Sequence, residues 1–427
     1  MHIVHVTHRA WPMIGGSERY VQEIARRQVL DGHRVTVVAT DAADLAALWD
    51  RRSRRVDRHM PDEHQGVRIR RLPTRRLPLG RILFPALRWV TWAVSQLWGR
   101  AACPLMRFSP WVPRLRQVLI EESGDLLFAW NITLEGLTAA VVHEARWRGV
   151  PWIAIPLLHL GRGRFYTMRH QIDLLREASV VLAQTPGERD FLLNAGFEPD
   201  RVRIVSPGVH LDESEEADGD RFREKYGLQG PLVLSLGTLD YDKGTPHLIE
   251  AAQRLWQDGR SLTLVLLGPQ HESVWRALAR LPERQRAFCR YLGLVSEQEK
   301  WDAMDAAAVM AMPSRTESFG IVFLEAWACG KPVIGARAGA LLDVIRDGVD
   351  GLLVDFGDVP ALASALDTLL EHPALADELG RRGQEKVRRA YAWEHQYQRL
   401  RAIVEGLKDE SGPPPGSPGD RPEPTCT

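Results

Sequence analysis

The sequence predicts an α/β protein of two domains, each a parallel sheet wound with helices. Three observations predict it. A chain of 427 residues is longer than one hydrophobic core usually organises. A short apolar strand, a glycine loop and an amphipathic helix follow one another at residues 2–25, and the same succession returns at residues 232–256. In both halves further strands alternate with helical stretches, which is the pattern of βαβ units. The composition, 44% hydrophobic and 26% charged, is that of a soluble globular protein, and a formal net charge of zero supplies no overall field for nucleic acid. Cys103, Cys289, Cys329 and Cys426 show no metal-ligand or redox spacing, so reduced thiols in a cytoplasmic protein are expected. The first residues lack the charged and apolar regions of a signal peptide, and no apolar run approaches a membrane span.

Residues 2–7 form the first expected strand. Gly15-Gly16 follows, then Ser17-Glu18 and a helix carrying Tyr20, Val21, Ile24 and Ala25 on one face. Glycines there allow close backbone approach to a ligand, and the helix start offers N–H groups to an anion; a plain tight turn would use the same residues. Gly32-His33 and a strand at 34–39 complete the unit. The stretch 57–113 then stands out. Between Glu63 and Glu121 there is no acidic residue, and the interval carries eleven arginines: Arg68, Arg70, Arg71, Arg75, Arg76, Arg81, Arg88, Arg100, Arg107, Arg114 and Arg116. It also carries Trp89, Trp92, Trp98, Trp111, Phe84 and Phe108. Residues 81–100 read as an amphipathic helix with a broad apolar face. The segment 64–120 suits either an anionic membrane surface or an ordinary domain helix with a solvated arginine rim. Strands are expected at 125–130, ending at Asn131, and at 150–158, with His159 where the second finishes. Ligands gather beyond the carboxyl ends of such strands, which places His159 well. A strand at 179–184, a helix start at Thr185-Pro186-Gly187-Glu188 and a strand at 201–205 close this half, taken as residues 1–210.

Residues 211–221 are acidic and without periodicity, and read as a linker to a second domain at 222–390. That domain opens with the strand 232–236 and the loop Gly237-Thr238-Leu239-Asp240-Tyr241-Asp242-Lys243-Gly244. Lys243, before a glycine and a helix, points to phosphate binding rather than an incidental loop lysine. Further strands are expected at 262–267, 309–312 and 352–355, with Tyr291-Leu292-Gly293-Leu294-Val295 preceding a helix. The stretch 313–339 is central. Its apolar run from Phe319 to Cys329 reads as a helix stopped by Gly330 and Pro332. Glu317 stands at its mouth and Glu325 inside it, and eight residues of continuous helix would bring the two within about 80° of each other. A carboxylate flanked by Phe323, Leu324, Ala326 and Trp327 needs a partner, either a polar ligand such as a sugar or ribose hydroxyl or a structural ion pair. Residues 359–387 read as helical with a break at His372-Pro373, and 391–410 as a last helix. The proline-rich tail 411–427 reads as disordered.

Glu317, seven residues and Glu325, followed by Gly330-Lys331-Pro332-Val333, resemble the signature of the large family-4 group of retaining glycosyltransferases with the GT-B fold. The resemblance runs to about Leu400 and rests on several motifs in the right order. Gly149-Val150-Pro151 with His159 matches the family's strand and histidine, and Ser206-Pro207-Gly208-Val209-His210 resembles its "P-N-G-V-D" crossing. It implies two Rossmann-like domains facing each other across a cleft, which close over a nucleotide-diphosphate sugar donor. It also implies a last helix packed back on the first domain and no required bound metal or other cofactor. By this resemblance Glu317, His159 and Lys243 are catalytic. Gly15, Gly16, Thr238, Lys243, Val295, Glu317, Ser318, Phe319, Gly320 and Glu325 bind the donor, with Glu325 on the ribose and the backbone near Val295 on the base. The sequence departs from the pattern at Thr238, where an arginine is common and would clamp phosphate bidentately, and at Ala340 and Asp343, where the family has glycine and glutamate. The acceptor is expected to be a glycan or a lipid-linked sugar, in envelope or exopolysaccharide synthesis at the inner membrane face. An epimerase or phosphorylase of the same architecture, and a silent membrane-docked sugar-nucleotide-binding protein, are the alternatives.

Overall fold

A computed structural model of the chain describes residues 1–410, apart from residues 14, 51–52, 58, 77–79, 100–102 and 162–164. Arg100 and the proline-rich tail 411–427 therefore lie outside the described residues. The chain divides into two compact units, Met1–Val205 with Tyr397–Thr427, and Ser206–Gln396. Each holds one sheet with helices between its strands, so the mixed α/β architecture with two Rossmann-like units is present.

The first sheet contains β1 (His2–Val6), β2 (Arg34–Thr40), β3 (Glu63–His64), β4 (Val67–Leu72), β5 (Leu126–Trp130), β6 (Trp152–Ile155), β7 (Val180–Ala183) and β8 (Val202–Ile204). Their order is β3-β4-β2-β1-β5-β6-β7-β8, parallel except for the β3–β4 pair. β1 and β5 are buried along their whole length, as strands covered on both faces must be. The helix Gly16–Leu30 buries Tyr20, Val21, Ile24 and Ala25 at helical spacing. β4 is a strand that the basic composition of 64–120 hides: Val67, Ile69 and Leu72 are buried, and Ile69 and Leu72 lie in register with β2. Of the intervening arginines, Arg68 is exposed, while Arg70 and Arg71 are half-buried and hydrogen-bonded. β6 is shorter than the expected 150–158, because the chain leaves the sheet at Pro156 and turns through Leu157 at φ +52°.

The second sheet contains β9 (Leu232–Leu236), β10 (Thr263–Leu267), β11 (Cys289–Gly293), β12 (Val309–Met312), β13 (Val333–Ala336) and β14 (Leu352–Val354), ordered β11-β10-β9-β12-β13-β14 and all parallel. The expected linker 211–221 is not one. Its residues fold into the helix Leu211–Glu215 and the start of the helix Gly219–Tyr226 within the second unit. The polar residues of this stretch serve local structure: Asp218 caps the second helix, and Arg221 is bound by Asp302 at 2.6 Å, while Phe222 enters the core. The helices Val359–Glu371 and Pro373–Lys386 meet at the His372-Pro373 break. The last helix, Trp393–Glu410, begins in the second unit, and its part from Tyr397 onward belongs to the first. There the Tyr397 hydroxyl donates to Asp31 at 2.8 Å.

One buried ionic cluster organises the basic segment. The helix Gly80–Trp98 turns Arg88 inward, where it donates to the fully buried Glu135 at 2.5 Å and to the carbonyl of Phe165 at 3.0 Å. His170 lies 3.6 Å from the same carboxylate. Burial pushes the Glu135 carboxyl up, but the Arg88 guanidinium and His170 outweigh it and hold the group below its ordinary value of 4.5. A carboxyl depressed by folding stabilises the fold fully above its unfolded pKa and loses that contribution as pH falls through the folded one. The unfolding free energy should therefore decline on acidification below 4.5, and Glu135→Gln should lower stability at neutral pH while flattening that decline. Denaturant titrations across this range check it; superimposable pH profiles would sink the assignment.

Candidate functional site

In the second sheet β9 lies between β10 and β12, so the chain crosses over from one side of β9 to the other, and a parallel sheet opens a crevice at the carboxyl ends of such a pair. The loops after β9 and β12 meet there. Gly244 has φ +74°, and a Cβ built on it would lie 2.2 Å from the Pro313 carbonyl oxygen, so only glycine lets the first loop close on the second. Arg315 N donates to the Asp242 carbonyl at 2.7 Å and stitches the two together. Gly268 closes on Gly237 in the same way, with a built Cβ 2.0 Å from its oxygen. Within this frame the Lys243 ammonium donates to Glu317 Oε1, and the Lys243 amide donates to Asp240 Oδ1 at 2.7 Å. Glu317 is buried and Lys243 half-buried, so an ammonium and a carboxylate sit together at the sheet's switch point with one side toward solvent. Thr238 is exposed in the same loop and puts no charge there.

The helix after Glu317 corrects the sequence reading. It spans Ile321–Ala328 and starts only after Gly320, whose φ of +93° breaks the chain direction. Any Cβ at Gly320 would meet the Phe323 ring and Leu341 within 3 Å. Glu317 is therefore outside the helix, and the 80° relation to Glu325 does not hold. The two carboxylates reach different cations instead. Glu325 accepts from Lys300 Nζ at 2.8 Å, and both are buried. Lys300 also lies 3.0 Å from Glu297 and 4.5 Å from the centre of the Trp301 ring. Sequence reasoning missed Lys300, since a lysine in Glu297-Gln298-Glu299-Lys300 reads as a solvated helix face. Phe319 is buried against Tyr391, with ring centres 5.8 Å apart, and its side chain belongs to the core. Ser318 is half-buried beside it. Val295 packs against the same core just before Ser296, which caps the helix Glu297–Ala306.

In the first unit β1 is flanked by β2 and β5, another reversal of strand order. The backbone at Gly15 is extended, and a Cβ there would lie 2.2 Å from Glu18 Oε2. The space left at Gly15 is thus taken by the chain's own carboxylate rather than by a ligand. Glu18 is held by Arg9 at 2.7 Å and Ser17 at 3.0 Å, with His8 3.4 Å away. Gly16 is exposed at the first turn of the helix that follows. His159 is half-buried beyond the end of β6, edge-on to Tyr166 at 5.3 Å. Among the described residues no group of three or more His, Cys, Asp or Glu side chains is placed to hold a metal ion.

Two Rossmann-like units, with an ionic pair at the switch point of the second, define a doubly wound α/β class. The family description "Glycosyl transferases group 1" matches residues 218–386, and "Glycosyl transferase 4-like domain" matches residues 15–208. The chain belongs to this glycosyltransferase family, of the GT-B fold. A D-inositol 3-phosphate glycosyltransferase of Acidothermus cellulolyticus is 35% identical over 227 residues, which are 49% of this chain and 50% of the relative. One from Frankia alni is 33% identical over 213 residues, 47% of this chain and 52% of the relative. The match thus spans about half the length of these curated relatives. Among solved structures, Anabaena HepE in complex with UDP and glucose superposes with a TM-score of 0.71 at 18% identity, covering 95% of this chain and all of that one. Sucrose-phosphate synthase of Thermosynechococcus elongatus superposes at 0.75 with 20% identity, covering 96% and 100%. At such identities these likenesses speak for the fold.

The Lys300–Glu325 pair makes a sharp prediction. Lys300→Met leaves a buried carboxylate without its cation and should cost about 3–5 kcal/mol, whereas Lys300→Met with Glu325→Leu should recover most of that. Chemical unfolding of the single and double variants measures both. A single substitution costing under about 1 kcal/mol would mean that Glu325 is satisfied elsewhere.

Proposed function

We propose that the chain is a retaining glycosyltransferase. It moves a sugar from a nucleotide-diphosphate sugar to a glycan or lipid-linked acceptor, in cell-envelope or exopolysaccharide synthesis. The observation that carries this reading is the Lys243–Glu317 pair at the switch point of the second sheet. The relatives named D-inositol 3-phosphate glycosyltransferase and the UDP complex of HepE support it.

When the bond between the anomeric carbon and the diphosphate breaks, negative charge grows on the phosphate oxygens and positive character on the sugar. Lys243 is the one cation in the loop 237–244, and it serves the phosphate side. The amides after Gly320, at the start of the helix Ile321–Ala328, add their dipole there. Glu317 holds the sugar hydroxyls, so an incoming donor divides the existing ionic pair between its two ends. Glu325 binds the ribose, and the 2.8 Å bond from Lys300 fixes that carboxylate in direction. In the first unit the exposed helix start at Gly16 and the half-buried His159 imidazole are the groups offered to the diphosphate and to the transferred sugar. Thr238 gives no bidentate clamp, which leaves the diphosphate to Lys243 and backbone amides. No bound metal takes part.

The test is a panel of nucleotide sugars with acceptor alcohols, with products resolved by anomer. Transfer with the donor's own anomeric configuration, unchanged by a metal chelator, is the expected result. Glu317→Ala and Lys243→Ala should each lower kcat/KM by about 100-fold or more. An inverted product would overturn retention. Donor binding without turnover for every acceptor would favour a silent sugar-nucleotide-binding protein, and isomerised donor sugar without acceptor would make it an epimerase.

A further inference from the structure

We propose that the outer face of the helix Gly80–Trp98 seats on an anionic lipid bilayer. The helix is built inside out. Its inward side carries Arg88, Thr91 and Ser95: Arg88 is bound to Glu135, and the Ser95 hydroxyl accepts from the His170 amide at 3.1 Å. Its exposed side carries Ile82, Leu83, Pro85, Ala86, Trp89, Val90, Ala93, Gln96 and Leu97, among which there is no charge. At 100° per residue these positions fill an arc of about 160°. Ile82 is 69% exposed, Leu97 68% and Trp89 50%. A surface helix in water is normally polar on its outer side, and a contiguous apolar face of this breadth marks an interaction surface.

Charge selects the occupant. The interval between Glu63 and Glu121 has no acidic residue. Of its arginines, Arg70, Arg71, Arg76 and Arg88 spend hydrogen bonds inside the unit. Arg75, Arg107, Arg114 and Arg116 are exposed. An apolar stripe on a segment that is basic throughout is complementary to acyl chains beneath anionic headgroups. A second copy fits worse, because a two-fold contact would set one basic segment against another. The tail 411–427 fits worse still, since SGPPPGSPGDRPEPTCT has no large apolar side chain to cover the stripe. Among the described residues no helix is long and apolar enough to cross a membrane, so the helix lies along the surface.

Flotation of the full chain with phosphatidylglycerol–phosphatidylcholine vesicles tests this, with pure phosphatidylcholine vesicles alongside. The wild type should float with the anionic vesicles and about tenfold less with the neutral ones. Trp89→Glu with Leu97→Glu should lower the bound fraction about tenfold while leaving the circular dichroism spectrum unchanged, with only a small fall in melting temperature from the loss of the Trp89 ring's edge-on contacts with Phe165 and Trp92. Arg107→Glu with Arg114→Glu and Arg116→Glu, which leaves the apolar face intact, should lower it too. No flotation at low salt, equal flotation with neutral vesicles, or a double variant that floats like the wild type would each overturn the proposal. A wild-type dimer that Trp89→Glu with Leu97→Glu converts to monomers would also overturn it, by assigning the face to a second copy.

Discussion

Close backbone packing between the loops after β9 and β12 is the constraint on which the candidate site depends. The ammonium of Lys243 and the carboxylate of Glu317 are 74 residues apart. They meet because Gly244 rests against the Pro313 carbonyl and Arg315 ties its amide to Asp242. The parallel sheet supplies the two neighbouring strand ends, and the glycine supplies the clearance. A side chain at position 244 would push the loops apart and uncouple the pair, with no change to either charged residue.

A second regularity is the treatment of buried carboxylates. Glu135 is met by Arg88, Glu325 by Lys300, Glu18 by Arg9, and Glu122 by Arg70 at 2.8 Å. In each case the partner comes from a different element of the same unit. A buried ion without a partner is costly, so each pair fixes how two elements may sit together. The pairs therefore act on geometry more than on net stability. Glu325 shows the functional side of this, since a carboxylate held in one direction by an ammonium is already oriented for a second polar partner.

The inverted helix follows from the same rule. Glu135 needs a cation, Arg88 provides it, and the turn of the helix then commits Trp89, Val90 and Leu97 to the outside. The basic composition of 64–120 has two separate structural meanings. Arg68 and Arg70 alternate with the buried residues of β4 and pair with Glu122, while Arg107, Arg114 and Arg116 stay at the surface.

The sequence by itself determined the α/β class and the two units. It also determined the strand–glycine–helix succession that opens each sheet. These are local facts: apolar runs, glycines at turns and helix stops such as Gly330 act over a few residues, and their physics is readable in order. The tertiary structure decided what depends on distance along the chain. It ended the continuous helix assumed between Glu317 and Glu325, because the chain turns at Gly320 with φ +93°, where Leu341 and Phe323 leave no room for a Cβ. It gave Glu325 the partner Lys300, which looked like a surface lysine, and filled the space at Gly15 with Glu18. It turned Arg88 inward and folded the acidic stretch 211–221 into helices. In every one of these cases the deciding contact is long-range or a matter of excluded volume, and neither composition nor periodicity records who the neighbour will be.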